Sequence, residues 1–245
     1  MKRTVIALIA AVLAVQAFSP AGAVRAFSPA AQAPAPDLDK LEQALTTAPD
    51  DLKAGNDYRM AVIQVKAYDR AIAFFQNLVT AHPTASNAHL NYGFAYVDKI
   101  PDAGAITQVI LANNALSAFT KALEIQPSWI GLYTRGNSYL FWPRIFNRTN
   151  LGLADLTEAL KMQKADSKRS LHVRVFIALG DAHWKLDDFV AAANTWREGL
   201  AQFPDNASLK LRLSKEGDEL KAIMDAAYDP TKRVDTSLHE LWTNQ

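Results

Sequence analysis

Residues 173–206 read VRVFIALGDAHWKLDDFVAAANTWREGLAQFPDN, and this stretch of 34 residues decides the fold. Its apolar residues recur with helical spacing in two runs, which predicts two helices joined by a short turn. The small residues Gly180, Ala192 and Gly199 allow neighbouring helices to approach closely. Pro204 ends the second helix, because proline lacks an N–H donor and its ring clashes with the preceding turn.

Four prolines repeat the end of this unit along the chain. Pro49 and Pro83 lie 34 residues apart, and Pro127 and Pro204 follow after one and two further repeats, each series lengthened by about ten residues. A small or apolar residue stands five positions before each proline: Ala44, Leu78, Ala122 and Gly199. A period of 34 residues with two helices predicts an array of stacked helical hairpins.

The stretch 173–206 resembles the repeat of the tetratricopeptide family at nearly every diagnostic position. His183 departs mildly from it, because the family usually has an aromatic residue there. Residues 52–83, 86–127 and 129–164 resemble the same repeat less closely. The resemblance covers most of the chain and implies an all-α fold, a right-handed α-solenoid of about four helical hairpins with a C-terminal capping helix.

The two ends of the array differ from this pattern. Gly55 and Arg59 interrupt it in the first helix of the first full unit, so the pattern does not determine how that helix packs. Residues 207–228 predict one terminal helix, whose apolar stripe covers the last repeat and whose charged face meets water. The solenoid is therefore predicted to span residues 37–228. The tail, residues 229–245, could lie back on it through Leu238, Leu241 and Trp242.

The N-terminus predicts export. Residues 1–23 contain Lys2 and Arg3, an apolar run over residues 5–18, and Ala-Gly-Ala at residues 21–23. These are the three parts of a secretory signal peptide. The alternative is an uncleaved anchor, but the run is shorter than the roughly 20 residues that a spanning helix needs. We expect cleavage and secretion across an inner membrane into a bacterial periplasm.

Residues 24–36 are rich in alanine and proline and predict a flexible linker. A second small-x-small sequence at residues 31–33 makes cleavage after Ala33 an alternative. After cleavage no long apolar segment remains, so no stable membrane span is expected.

Composition excludes several classes of function. The chain has no cysteine, which excludes disulfides, thiolate metal sites and a cysteine nucleophile. Signal cleavage leaves 24 Lys and Arg residues against 25 Asp and Glu residues. Without a basic excess, nucleic acid is not an expected partner.

Two insertions lengthen the repeats. The first, residues 99–114, predicts an N-terminal extension of a second helix, with Asp102 as N-cap and an end near Ile125. The extension either packs on an adjacent helix or forms a docking edge. The second, residues 141–148, places aromatic residues and arginines where a tight turn is usual. These residue types are enriched at binding hot spots, although the loop could instead cover the end of its hairpin. The candidates are Phe141, Trp142, Arg144 and Arg148.

The sequence predicts no catalytic, cofactor or metal site. It contains no nucleophile elbow, no glycine-rich phosphate loop and no His-Glu-x-x-His motif. Asp181 and His183 have metal-ligand character but no third ligand at a suitable spacing.

The resemblance implies that the first helix of each hairpin lines a concave groove. Asparagine can pair with a peptide backbone because it offers both a donor and an acceptor, and aromatic residues offer apolar pockets. The alternative is that several of these residues pack between hairpins. The groove candidates are Asn91, Phe94, Tyr133, Asn137, Arg174, Asp181 and Trp184.

The expected function is an exported, non-enzymatic scaffold that binds a peptide or protein segment in this groove. Two alternatives remain open at the level of sequence. One is a self-assembling envelope protein that uses its long second helix, so an oligomer is possible. The other is a binder of small ligands or cell-wall glycans that uses the aromatic insertion.

Overall fold

The structure is a computed structural model that describes residues 35–243. The predicted signal peptide and all but the last two residues of the predicted linker lie outside the described residues. Twelve α-helices and no strands occur within the described range. The helices are α1 (Leu38–Thr47), α2 (Leu52–Val65), α3 (Tyr68–Ala81), α4 (Ser86–Lys99), α5 (Ala105–Ile125), α6 (Trp129–Tyr139), α7 (Thr149–Lys164), α8 (Val173–Lys185), α9 (Phe189–Gln202), α10 (Ala207–Leu213), α11 (Gly217–Ala227) and α12 (Glu240–Thr243).

The helices form a linear array of hairpins. The four hairpins are α2–α3, α4–α5, α6–α7 and α8–α9, and each packs against the next. Helix α1 precedes the first hairpin, and α10 packs on α9 at the other end. The all-α solenoid of about four hairpins is therefore confirmed. None of the helices within residues 35–243 combines the length and the apolar character that crossing a bilayer requires.

The repeated prolines mark helix ends as predicted. Helices α1, α3, α5 and α9 each end two residues before a proline: Pro49, Pro83, Pro127 and Pro204. In each case the residue after the helix donates its backbone N–H to the carbonyl five positions before the proline: Ala44, Leu78, Ala122 and Gly199. The proline thus follows a helix end that is already closed by a backbone hydrogen bond.

Glycines on the first helices determine how closely the hairpins close. Gly93, Gly136 and Gly180 each lie against the large residue of the paired second helix: Phe119, Leu156 and Trp196, respectively. A Cβ at Gly136 would lie 2.9 Å from Leu156 Cγ, and a Cβ at Gly93 or Gly180 would overlap the facing aromatic ring. The repeat register derived from the sequence agrees with these contacts.

The start of α5 differs from the prediction. Asp102 lies in a 3₁₀ turn, Ile100–Asp102, and α5 begins three residues later with Gly104 as its N-cap. The prediction of Asp102 as N-cap is therefore wrong. Its carboxylate instead pairs with Lys66 and Arg233, which lie on other parts of the fold. The predicted extension is present, since α5 has 21 residues and ends at Ile125.

The terminal cap consists of two helices, so the prediction of one continuous helix is wrong. Helix α10 ends where Ser214 donates its backbone N–H to Leu211 and Lys210. Gly217 then adopts a positive φ of 52°, which glycine tolerates and which turns the chain out of the helical path. Leu209, Leu220 and Met224 of the two helices pack in one apolar cluster with Trp196.

Candidate binding groove

The first helices line a cavity of about 950 Å³. We call this cavity, with the side chains that line it, the groove. Five of the seven groove candidates line it: Phe94, Tyr133, Asn137, Arg174 and Trp184. Phe141 and Trp142 of the second insertion line it as well. The structure thus brings residues of two predicted sites together in one cavity.

The other walls come from segments that plain repeats lack. The start of α5 contributes Gln108 and Val109, and the insertion loop contributes Phe146. The remaining wall is the chain's own C-terminal segment, from Met224 in α11 to Leu238. Both insertions and the tail therefore shape the groove.

The tail crosses the first helices and is anchored on α2 and α4. The side chain of Thr236 is buried and donates its hydroxyl to the Asp98 carboxylate. The carbonyl of Thr236 accepts a hydrogen bond of 2.8 Å from Arg59. Leu238, 8% exposed, packs in the apolar cluster that contains Phe94 and Phe119. A polar pair and an apolar side chain thus hold this part of the tail.

Arg59 is the centre of this polar contact, and sequence reasoning missed it. Its side chain is fully buried, and its guanidinium donates to Asp98 at 2.8 Å and to Asn56 at 3.1 Å. The guanidinium also lies 4.5 Å from the centre of the Phe94 ring. Burial lowers the pKa of Arg59 below its usual value. The signal in the sequence was an arginine at a position where the later units have glycine.

Asn91, a groove candidate, has its side chain buried and hydrogen-bonded within the fold. Its Oδ1 accepts from Arg59 at 3.0 Å. Its Nδ2 donates to the carbonyls of Asn87, at 3.1 Å, and Leu52, at 3.3 Å. Because both ends of the amide are occupied, Asn91 joins α2 to α4 rather than facing the cavity.

Asp181, another candidate, is also outside the cavity. It is fully buried and forms a two-pronged ion pair with Arg212 of α10, at 2.6 and 2.7 Å. It also accepts from Trp196 Nε1 at 3.2 Å and from the Tyr228 hydroxyl at 2.8 Å. Burial raises the pKa of Tyr228 well above its ordinary value. Asp181 therefore fastens the terminal cap to the last hairpin.

Arg174 lines the cavity and binds the tail. Its Nε donates to Glu240 at 2.8 Å, and its Nη2 lies 3.7 Å from Asp235. Tyr133 of the neighbouring first helix stacks on Trp129 with a ring separation of 5.4 Å. Arg174 is thus a groove residue whose charge is already used by the tail.

The C-terminal end of the groove keeps polar groups that the fold does not use. Asn137 makes no side-chain hydrogen bond to any residue of the described range. Lys185 has no carboxylate partner in that range; it donates to the carbonyl of Leu140 and lies 4.7 Å from the Tyr228 ring centre. Burial lowers the pKa of Lys185 below its usual value. Trp184 adds an aromatic ring to the same wall.

The insertion loop packs more tightly than its composition suggests. Trp142 is buried, and the Arg148 guanidinium lies 3.6 Å from its ring centre. Arg144 pairs with Asp187 at 2.8 Å, and Phe141 packs edge-on against Tyr228 at 5.2 Å. The loop candidates are therefore largely engaged within the fold.

The side chains that project from the insertions are apolar. Ile145 is 87% exposed and Ile106 of α5 is 82% exposed. Val109, Ile110 and Phe146 are also exposed. Because Val109 and Phe146 both line the cavity, these residues form an apolar rim beside its opening. The rim comprises Ile106, Val109, Ile110, Ile145 and Phe146.

Over residues 35–243, no three His, Asp or Glu side chains are grouped so that they could hold a metal ion. His183 lies in α8 beside the buried Asp181.

Comparison with solved structures identifies the fold class, while no family model matches the chain. The crystal structure of TTC0263, a thermophilic TPR protein in Thermus thermophilus, superposes with a TM-score of 0.54 at 20% identity, over 72% of this chain and 87% of that one. The crystal structure of YrrB, a TPR protein with an unusual peptide-binding site, superposes with a TM-score of 0.51 at 16% identity, over 83% of this chain and 91% of that one. This chain therefore has the fold of tetratricopeptide-repeat proteins.

Proposed function

We propose that this protein is an exported, non-enzymatic scaffold that binds a segment of a partner protein in the groove. The observation that carries the proposal is the cavity of about 950 Å³, which first helices line with apolar side chains and a few polar groups. Export is supported by the sequence of residues 1–23, which has the three parts of a signal peptide. A periplasmic location follows from the same sequence.

The chemistry of the groove suits a peptide. Apolar pockets give a peptide's side chains a favourable environment, and a small number of polar groups orient it. Asn137 can both donate to and accept from a peptide bond. The similarity to YrrB, whose structure is described as having a peptide-binding site, supports the same use of the fold.

The apolar rim supports a protein partner over a small molecule. Single exposed apolar residues are normal, but a group beside one opening is typical of an interaction surface. A partner chain could place its segment in the cavity and cover Ile106 and Ile145 with adjoining surface.

The test is selection of peptides from a displayed random library on the chain without residues 1–23. We expect selected peptides to bind Asn137→Ala and Trp184→Ala at least about tenfold more weakly, a loss of roughly 1.4 kcal/mol. Asn77→Ala is the matched control, because Asn77 is exposed on α3 and does not line the cavity. Circular dichroism would check that each variant keeps its helices. Equal binding by all three variants would refute the proposal.

A small ligand is the second candidate, and the cavity volume favours it. Cavities of roughly 300–1,000 Å³ are typical of small-molecule sites. Stacking of a glycan on Trp142 is less favoured, because the Arg148 guanidinium covers a face of that ring. Screening a library of periplasmic metabolites by thermal shift would test this alternative, with Asn137→Ala expected to abolish any stabilisation.

A further inference from the structure

The chain's own tail occupies the groove in the way that a bound peptide would. We propose that residues 233–241 are an internal ligand, and that the partner segment resembles them and takes their place. This inference rests on the proposed function and names the class of partner. Such a segment is extended, has a hydroxyl residue two positions before a leucine, and carries an acidic residue two positions after it. In the tail these are Thr236, Leu238 and Glu240.

The polar half of the seat is complete only when a segment is bound. Arg59 and Asp98 are buried, and each makes one of its hydrogen bonds to Thr236. The carbonyl of Thr236 accepts from Arg59, and its hydroxyl donates to Asp98. Without a segment, a buried cation and a buried carboxylate would each lose a partner, which is unfavourable. The seat therefore selects a main-chain carbonyl and a serine or threonine hydroxyl together.

The apolar and charged parts of the seat add two further requirements. Leu238 packs in the cluster with Leu90, Phe94 and Phe119, which a polar side chain could not do favourably. Arg174 binds the carboxylate of Glu240, so an acidic residue is preferred at that place. Arg169 additionally donates to the carbonyl of Leu241 at 3.0 Å.

Several features of the tail favour its release. Leu238 has a φ of 53°, a left-handed conformation that is unfavourable for a residue other than glycine. Trp242 Nε1 is buried without a hydrogen-bond partner in the described part of the chain. Residues 229–239 form no helix and are held mainly by side chains of the array. A partner segment without these unfavourable features could bind the same seat better.

The tether makes the tail an effective competitor. A segment joined to its binding site by a short flexible linker acts at an effective concentration in the millimolar range. A partner therefore binds with an apparent affinity that is reduced by the small fraction of chains whose seat is open. Weakening the tail alone should raise the affinity for a segment supplied in trans.

The experiment uses a fluorescein-labelled peptide of residues 229–243, DPTKRVDTSLHELWT, and measures anisotropy with the full chain. We expect Leu238→Asp in the chain to release the tail and to increase affinity for the wild-type peptide at least about tenfold over the wild-type chain. Leu211→Asp is the matched control, because Leu211 is a 44% exposed leucine of α10 outside the tail, and it should bind as the wild type does. A peptide that carries Leu238→Asp should not bind.

Hydrogen exchange and circular dichroism complete the test. Exchange in residues 231–243 should be faster in the Leu238→Asp chain, with helical content retained. If that chain does not fold, Thr236→Ala is the substitute and should increase peptide affinity in the same direction. The inference is overturned if the released chain does not bind the tail peptide. It is also overturned if library-selected peptides bind the wild-type and released chains equally, and in that case the proposed function still stands.

Discussion

At the scale of single residues, Gly180 sets the distance between α8 and α9. A side chain there would enter the space of the Trp196 indole, which is itself buried. We expect Gly180→Leu to lower the free energy of unfolding by about 1–3 kcal/mol, as overpacking does in close-packed interiors. Urea denaturation would measure it. Gly104→Leu is the control, because a Cβ at Gly104 meets nothing within 4 Å; equal midpoints for the two variants would show that the assigned register is wrong.

The sequence allowed such small-to-large contacts to be predicted, since they recur with the period of the repeat. It did not allow the orientation of polar side chains on the first helices to be predicted. Asn91 and Asp181 hold groove positions in the family pattern, yet both turn toward buried arginines. Those arginines, Arg59 and Arg212, lie 32 and 31 residues away in sequence. Only the packing of successive repeats brings each pair together.

At the scale of elements, the Asp181–Arg212 pair joins α8 to the cap helix α10. Both side chains are nearly or fully buried, so removing one charge leaves the other without compensation. We expect Asp181→Asn to lower the free energy of unfolding by about 3–5 kcal/mol. Urea denaturation would measure this loss, and hydrogen exchange should become faster first in α10 and α11.

The exposed pair Glu158–Lys161 on α7 provides the comparison, since both of its side chains are mostly in water. We expect Glu158→Gln to change stability by less than about 1 kcal/mol. A similar small change for Asp181→Asn would mean that the buried pair does not hold the cap.

Element boundaries were predictable where a local residue determines them. Each proline marked a helix end, and the length of α5 followed from an apolar pattern without interruption. The start of α5 and the break before Gly217 were not predictable in this way. Asp102 is drawn into ion pairs with Lys66 and Arg233, and Arg233 lies 131 residues further along the chain. Such distant partners are invisible to a local pattern.

At the scale of the whole molecule, the tail changes how the repeats depend on one another. In a simple array each repeat contacts only its neighbours, and stability is close to a sum of local terms. Here the contact between Arg59 and Thr236 joins the first hairpin to a segment 177 residues away. A second contact, between Arg233 and Tyr68, joins the same two regions at 2.9 Å. The end of the chain therefore contributes to the stability of its beginning.

This connection predicts that a change in the tail is felt in α2. Releasing the tail with Leu238→Asp removes one hydrogen bond from the buried Arg59 and another from Asp98, at a cost of about 1–3 kcal/mol to the local structure. The slowest amides of α2 should then exchange about ten times faster or more. Leu211→Asp places the same charge on α10, outside the tail, and should leave α2 unchanged. If α2 keeps its wild-type exchange rates while the tail is released, the first hairpin is stable without the tail, and the array follows the nearest-neighbour rule despite this contact.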